Sequence, residues 1–165
     1  PVSGVIIFAR TSKALTRLNE QFRSKEIKKK YWVIVKNRPP KESDTLTDYI
    51  RRDAKTNKSY VCKKDDKEAK EASLTYKLIA SSDNYHLLEI DLHTGRHHQI
   101  RCQLANIDCA IKGDLKYGAP RSNKDGGISL HARSVEFFHP ITKETISVVA
   151  PVPDDNLWKD FEKML

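Results

Sequence analysis

The stretch Leu92–Gly118, LHTGRHHQIRCQLANIDCAIKGDLKYG, constrains the chain more than any other. It joins a Thr-Gly-Arg turn to two adjacent histidines and an arginine, and then adds a second glycine-centred turn, Ile111-Lys112-Gly113-Asp114, ahead of Tyr117-Gly118. Thr94 is placed to cap a short helix whose first turn carries Arg96, His97 and His98. Ile100, Leu104 and Ile107 recur at helical spacing, so one side of that helix faces a core. Arg101 lies one residue round from the apolar row. A guanidinium at that edge is hard to leave unpaired, which calls for a fixed acidic partner. Asp91 and Asp114 are the nearest acids in sequence, and spacing does not choose between them.

Around that stretch the apolar and turn-forming residues alternate in short runs. Val5–Ala9 reads as a strand, Thr11–Phe22 as a helix with Ala14, Leu15, Leu18 and Phe22 inward, and Tyr31–Val35 as a strand. Asn37–Asp48, with Pro39-Pro40, reads as a loop, and Leu46–Lys70 as irregular hairpin segments, with Lys63–Lys70 a solvated turn. Ala72–Ala80 and Tyr85–Leu92 form two strands about the turn Ser81-Ser82-Asp83-Asn84. Ile128–Phe138 and Thr145–Ala150 are extended, and Asp154–Leu165 is an amphipathic helix burying Leu157, Trp158, Phe161 and Leu165. Strands in runs with a few helices indicate an α+β domain with a mixed, mostly antiparallel sheet.

Composition narrows the function classes. A length of 165 residues suits one domain, here 1–165, and no apolar run approaches the ~20 residues of a membrane-spanning helix. Three cysteines without C-x-x-C spacing favour a reducing compartment, hence the cytoplasm. The formal net charge of +8 fits either a lysine-rich solvated surface or a polyanionic partner, most often nucleic acid. Lys28, Lys29 and Lys30 beside Tyr31 and Trp32 suit phosphate contact with base stacking, although a strand with one buried aromatic explains the same residues. His93, His97, His98 and Cys102 do not make a metal site, because neighbouring side chains on a helix diverge by about 100°. No glycine-rich phosphate loop is present, so nucleotide hydrolysis finds no support.

His93-Thr94-Gly95-Arg96-His97-His98-Gln99-Ile100-Arg101, with Ile111-Lys112-Gly113-Asp114 and Tyr117-Gly118, resembles the third motif of RluA-type RNA pseudouridine synthases. Other blocks of that family follow in order. Pro1-Val2-Ser3-Gly4 resembles the tail of the catalytic-loop motif, with Val2 where Thr is usual. Lys29-Lys30-Tyr31 resembles the Lys-x-Tyr block, Lys70-Glu71-Ala72 the Lys-x-Ala block, and Leu130-His131-Ala132 with Phe138-His139-Pro140 the C-terminal block. The resemblance implies isomerisation of uridine to pseudouridine in structured RNA, ribosomal or transfer, with no cofactor and no metal; a monomer is taken as the default. It implies catalytic roles for Tyr31, on the base, and Arg101, on a nucleophilic aspartate, and RNA contacts from Lys29, Lys30, Arg96, His98 and Gln99. Aligned on Ser3-Gly4, that aspartate falls two residues before Pro1. The chain is therefore expected to be the C-terminal part of the catalytic domain, inactive alone, with the aspartate as the partner of Arg101. Two other readings remain: a plain RNA-binding module, and a protein-interaction domain whose charge serves solubility. Salt-dependent RNA binding separates these two.

Overall fold

The computed structural model describes residues 1–165. Eight strands form one sheet: β1 (Ser3–Gly4), β2 (Lys28–Val35), β3 (Ser43–Asp53), β4 (Lys58–Cys62), β5 (Lys70–Ser81), β6 (His86–Leu92), β7 (Leu130–Phe138) and β8 (Thr145–Val149). Their order is β1-β7-β2-β6-β5-β3-β4, with β8 also on β7; only β1 runs parallel to its neighbour. Three helices complete the fold: α1 (Ser12–Arg23), α2 (Gln99–Asn106) and α3 (Asn156–Lys163). This is the mixed, mostly antiparallel α+β architecture expected.

The period-two alternation of β2 sorts its residues to two cores. Val33 and Val35, with Tyr31 packed against them, join Leu88, Ile90, Leu74 and Tyr76 under Ile100 and Leu104 of α2. Trp32 and Ile34 face the other way, onto Trp158 and Phe161 of α3. Trp32 is therefore a core residue, its indole N–H donating to Glu89 (3.2 Å) and its ring covered by Arg133 at 4.2 Å. The stacking role suggested by its lysine neighbours does not apply to it.

Four expectations change. Val5–Ala9 is not a strand: β1 stops at Gly4, and only the Val5 amide continues, onto the Ala132 carbonyl. The reason is competition for one edge, because the Ala150 amide takes the Arg133 carbonyl and β8 occupies β7 from there. Residues 43–62 form a regular hairpin instead of a loop and irregular pieces; β3 pairs with β5 over Ser43–Ile50 and with β4 over Tyr49–Asp53. Its charged and threonine-rich strand hides the alternation of Leu46 and Ile50. In α1, capped by Thr11, Leu15 and Phe22 are exposed while Leu18 and Gln21 are buried. Gln21 clamps the helix to β7 by accepting from the Phe138 amide (2.9 Å) and donating to its carbonyl (2.8 Å). In α3 Trp158 and Phe161 are buried, but Leu165 lies past the helix end and is 61% exposed.

Candidate active site

The helix expected from Thr94 begins five residues later, at Gln99. The Thr94 hydroxyl accepts from the Ser73 amide (3.0 Å) and donates to Gln99 Oε1 (2.7 Å), so it ties the turn to β5 and caps the helix only through that glutamine. Gln99 is 3% exposed. Its Oε1 also accepts from the Arg96 amide, and its Nε2 donates to the Ser73 carbonyl and to Gln103. Every polar atom of Gln99 is thus used inside the protein. The residue shapes the Thr-Gly-Arg turn from within and does not reach the surface.

His98 occupies the residue before α2 in a left-handed conformation, φ 51°. That backbone is uncommon for a side chain of this size and persists only where surrounding contacts hold it. Arg101 Nη1 donates to His98 Nε2 at 3.1 Å, which requires a neutral ring protonated on Nδ1. That proton points to the Tyr117 phenol oxygen at 3.0 Å, and the same oxygen accepts from the Ser59 amide at 2.8 Å. Burial, and then the Arg101 charge, depress the His98 pKa to about 4. The His97 ring stacks on His98 with centroids 3.8 Å apart, and its Nδ1 lies 2.9 Å from Ser59 Oγ. Because that hydroxyl donates to the His97 carbonyl (2.7 Å), the His97 ring is the donor in their contact.

At the centre, Arg101 forms a two-point ion pair with Asp114. Nε reaches Oδ2 and Nη2 reaches Oδ1, both at 2.8 Å. Asp114 is fully buried and the Arg101 side chain is 19% exposed. The hydrogen bonds that Arg101 donates to Asp114, ahead of the opposing effect of burial, raise the Arg101 pKa further. Of the two acids nearest in sequence, Asp114 is therefore the partner. Asp91 is turned to the α3 side of the sheet and binds Lys30 at 2.6 Å. Within the chain Asp114 is thus the acid that Arg101 binds; the aspartate expected ahead of Pro1 would be a second partner. The turn carrying Asp114 depends on Gly113, φ 87°, where a Cβ would lie 2.6 Å from the Asn123 side chain and 2.8 Å from the Gly127 carbonyl. The Pro1 carbonyl accepts from the Ile128 amide, so β1 enters the sheet beside this turn.

A family model described as RNA pseudouridylate synthase matches residues 1–106, which include β1, Tyr31 and Arg101. The chain belongs to the RluA-type RNA pseudouridine synthase family. An uncharacterized RNA pseudouridine synthase of Chlorobaculum parvum is 33% identical over 93% of this chain and 52% of its own length. The ribosomal large subunit pseudouridine synthase C of Buchnera aphidicola is 34% identical over 91% of this chain and 50% of its own length. The chain thus spans about half the length of the curated relatives it matches. The structure of human RNA pseudouridylate synthase domain containing 4 shares the fold, with TM-score 0.71 and 23% identity over 93% of this chain and 67% of that one.

In this pseudouridine synthase domain the residues singled out in sequence fall into distinct places. Tyr31 is half-buried on the α2 side of β2, with Lys29 Nζ 5.3 Å from its ring centroid. Lys30 points to the opposite face, bound to Asp91 and near Glu89 (3.8 Å). Arg96 is exposed, with Nε donating to the Glu71 carbonyl. Tyr117 and Ser59 hold the histidine pair but stand out less in sequence: Tyr117 is visible in the Tyr-Gly block, whereas nothing local marks Ser59.

The depressed His98 pKa makes a pH prediction. The folded state keeps His98 neutral while an unfolded chain takes up its proton below the ordinary value near 6.5, so stability falls as pH drops from about 6.5 toward about 4. His98→Asn tolerates the left-handed backbone and removes the titration. Thermal denaturation at neutral pH and near pH 5 is expected to show a smaller acid loss in the variant, by on the order of 1–2 kcal/mol after discounting solvent screening. Equal acid losses in both proteins would reject the assignment.

Proposed function

We propose that the protein carrying this sequence isomerises uridine to pseudouridine in RNA, and that this chain is the C-terminal part of its catalytic domain. The observation that carries the reading is the Arg101 site, set beside the entry of β1 and matched by the family model. The aspartate nucleophile would stand two residues before Pro1, next to the Gly113 turn. Of the five N–H groups of a guanidinium, Arg101 uses three on Asp114 and His98. The remaining two are available to hold that aspartate ionised and oriented. The chain alone is then inactive.

The target uridine would leave its stack, at a cost of roughly a few kcal/mol. The aspartate assists cleavage of the bond between ribose C1′ and uracil N1; the ring turns, and C5 bonds to C1′. The C5 proton leaves as N1 gains one, so atoms and charge balance with no redox partner, cofactor or metal. Tyr31 lies against the base and assists loss of that proton. Arg96 and Lys29 contact RNA from the exposed side of the site, His98 and Gln99 support it through protein contacts, and Lys30 lies on the other face of the sheet. Ribosomal RNA is the favoured substrate, in keeping with the name of the Buchnera relative. A cytoplasmic location is in keeping with the free cysteines Cys62, Cys102 and Cys109; no helix is long and apolar enough to cross a membrane.

Tritium release from RNA labelled at uridine C5 tests the reading. Release by the natural full-length protein, and none by this chain, is the expected result. Release by neither, with RNA binding intact, would favour the binding-module reading. Release by the chain itself would refute the upstream placement of the nucleophile.

A further inference from the structure

Two clefts open on either side of the row formed by His97, His98 and Tyr117. One, of about 830 Å³, is lined by Tyr117 together with Lys36, Lys112, Arg121 and Lys124. The other, of about 490 Å³, is lined by His97 together with Arg52, Lys70 and Arg96. The row separates them: His97 stacks on His98, and His98 meets the Tyr117 ring edge-on at 5.7 Å.

The charge in these clefts is left open. Seven basic side chains elsewhere take carboxylate partners, among them Lys28–Glu136, Lys30–Asp91, Arg51–Asp66 and Arg133–Glu162. None of the seven cations in the clefts has a carboxylate within ion-pair distance. The only acids lining them are Asp108 in the larger and Glu68 in the smaller. Unpaired lysines also lie on open faces, as Lys13 and Lys163 do; what sets the seven apart is that they line two concavities beside one ring row with only two acids among the lining residues. Like charges held together in a cleft repel, and a polyanion relieves that repulsion while releasing its counterions.

We propose that one RNA strand crosses the His97–His98–Tyr117 row, with phosphates on one side in the Lys36–Lys124 cleft and phosphates on the other in the Arg52–Arg96 cleft. The proposal rests on RNA being the substrate. It assigns Lys36, Lys112, Arg121 and Lys124 to one flank of the target nucleotide and Arg52 and Lys70, with Arg96, to the other. The row between them is where a continuous strand passes from one track to the other. Each cleft then contributes independently to affinity for a strand long enough to span the row.

The test measures affinity against salt for the natural full-length protein, by fluorescence anisotropy with a long single-stranded RNA and with a trinucleotide. The variants are Arg121→Ser with Lys124→Ser, Arg52→Ser with Lys70→Ser, all four together, and a control pair, Lys13→Ser with Lys163→Ser, on exposed faces of α1 and α3. Each phosphate contact on a single strand adds about 0.7 to the slope of log affinity against log salt. Each cleft pair is expected to flatten the long-strand slope by roughly 1–1.5, and the fourfold variant by about twice that. The control pair should leave it unchanged, and on the trinucleotide the two cleft pairs should not add. No flattening from one cleft pair, or equal flattening from the control, would overturn the two-cleft path. If tritium release persists in that case, the synthase reading stands and only the path is lost. If the unmodified protein shows no salt-dependent RNA binding, both fall.

Discussion

Asp114→Ala is expected to lower stability by ~3–5 kcal/mol, the usual cost of removing one partner from a buried ion pair. For a chain of 165 residues this corresponds to a fall of roughly 6–20 °C in melting temperature. The cause is specific: Asp114 is fully buried and accepts two N–H bonds of Arg101, so its loss strands a guanidinium with an exposure of only 19%. The arginine then has no acceptor but His98 Nε2, and the Gly113 turn loses its anchor. Arg101→Ala should cost a similar amount, because it strands the carboxylate. In the full-length protein Arg101→Ala should also abolish turnover. The two losses are expected to be strongly non-additive, since an apolar pair such as Arg101→Met with Asp114→Leu leaves no buried charge unpaired. Thermal and urea denaturation of the single and double variants measure this. A loss below about 1 kcal/mol for Asp114→Ala, the range of exposed ion pairs, would mean that the pair is solvated.

Tyr31→Phe in the full-length protein should reduce pseudouridine formation by roughly 10²–10⁴-fold, the range for a group that moves a proton in the transition state. RNA affinity should change little. The ring of Tyr31 packs on the core beneath α2 and would remain in the phenylalanine variant, with Lys29 still over it. Only the hydroxyl is lost, so the experiment separates a packing role from a chemical one. Product formation and RNA affinity, measured on one preparation, give the two readouts. Loss of affinity in step with product would assign Tyr31 to packing instead.

Much of the fold was legible because its strands carry local signals. β5 and β6 alternate around a Ser-Asp-Asn turn, and α3 repeats its apolar residues at helical spacing. The β3–β4 hairpin was missed because its inward positions are few and its outward ones charged, so pairing with β5 decides its structure. Val5–Ala9 was misread for the opposite reason. Its apolar run suits a strand, but β8 occupies the edge of β7 that it would need. The site divides in the same way. Arg101 was picked out by its place beside a buried helical row, whereas Gln99 looked like a surface contact in sequence and is an internal staple in the structure.

The sequence by itself determined the α+β class, the family motifs, the need of Arg101 for an acid and the excess of positive charge. These follow from residue type and short-range spacing, which are properties of the chain before it folds. Only the tertiary structure decided that the acid is Asp114 and not Asp91, which β6 turns to the opposite face of the sheet. It also decided that Lys30 and Trp32 face away from α2, that His98 is pinned neutral between Arg101 and Tyr117, and that Ser59 supports the histidines. Those outcomes depend on which side of a strand or turn a residue takes and on what another segment brings to meet it. A partner that lies 38 residues away, as Ser59 does from His97, leaves no local trace.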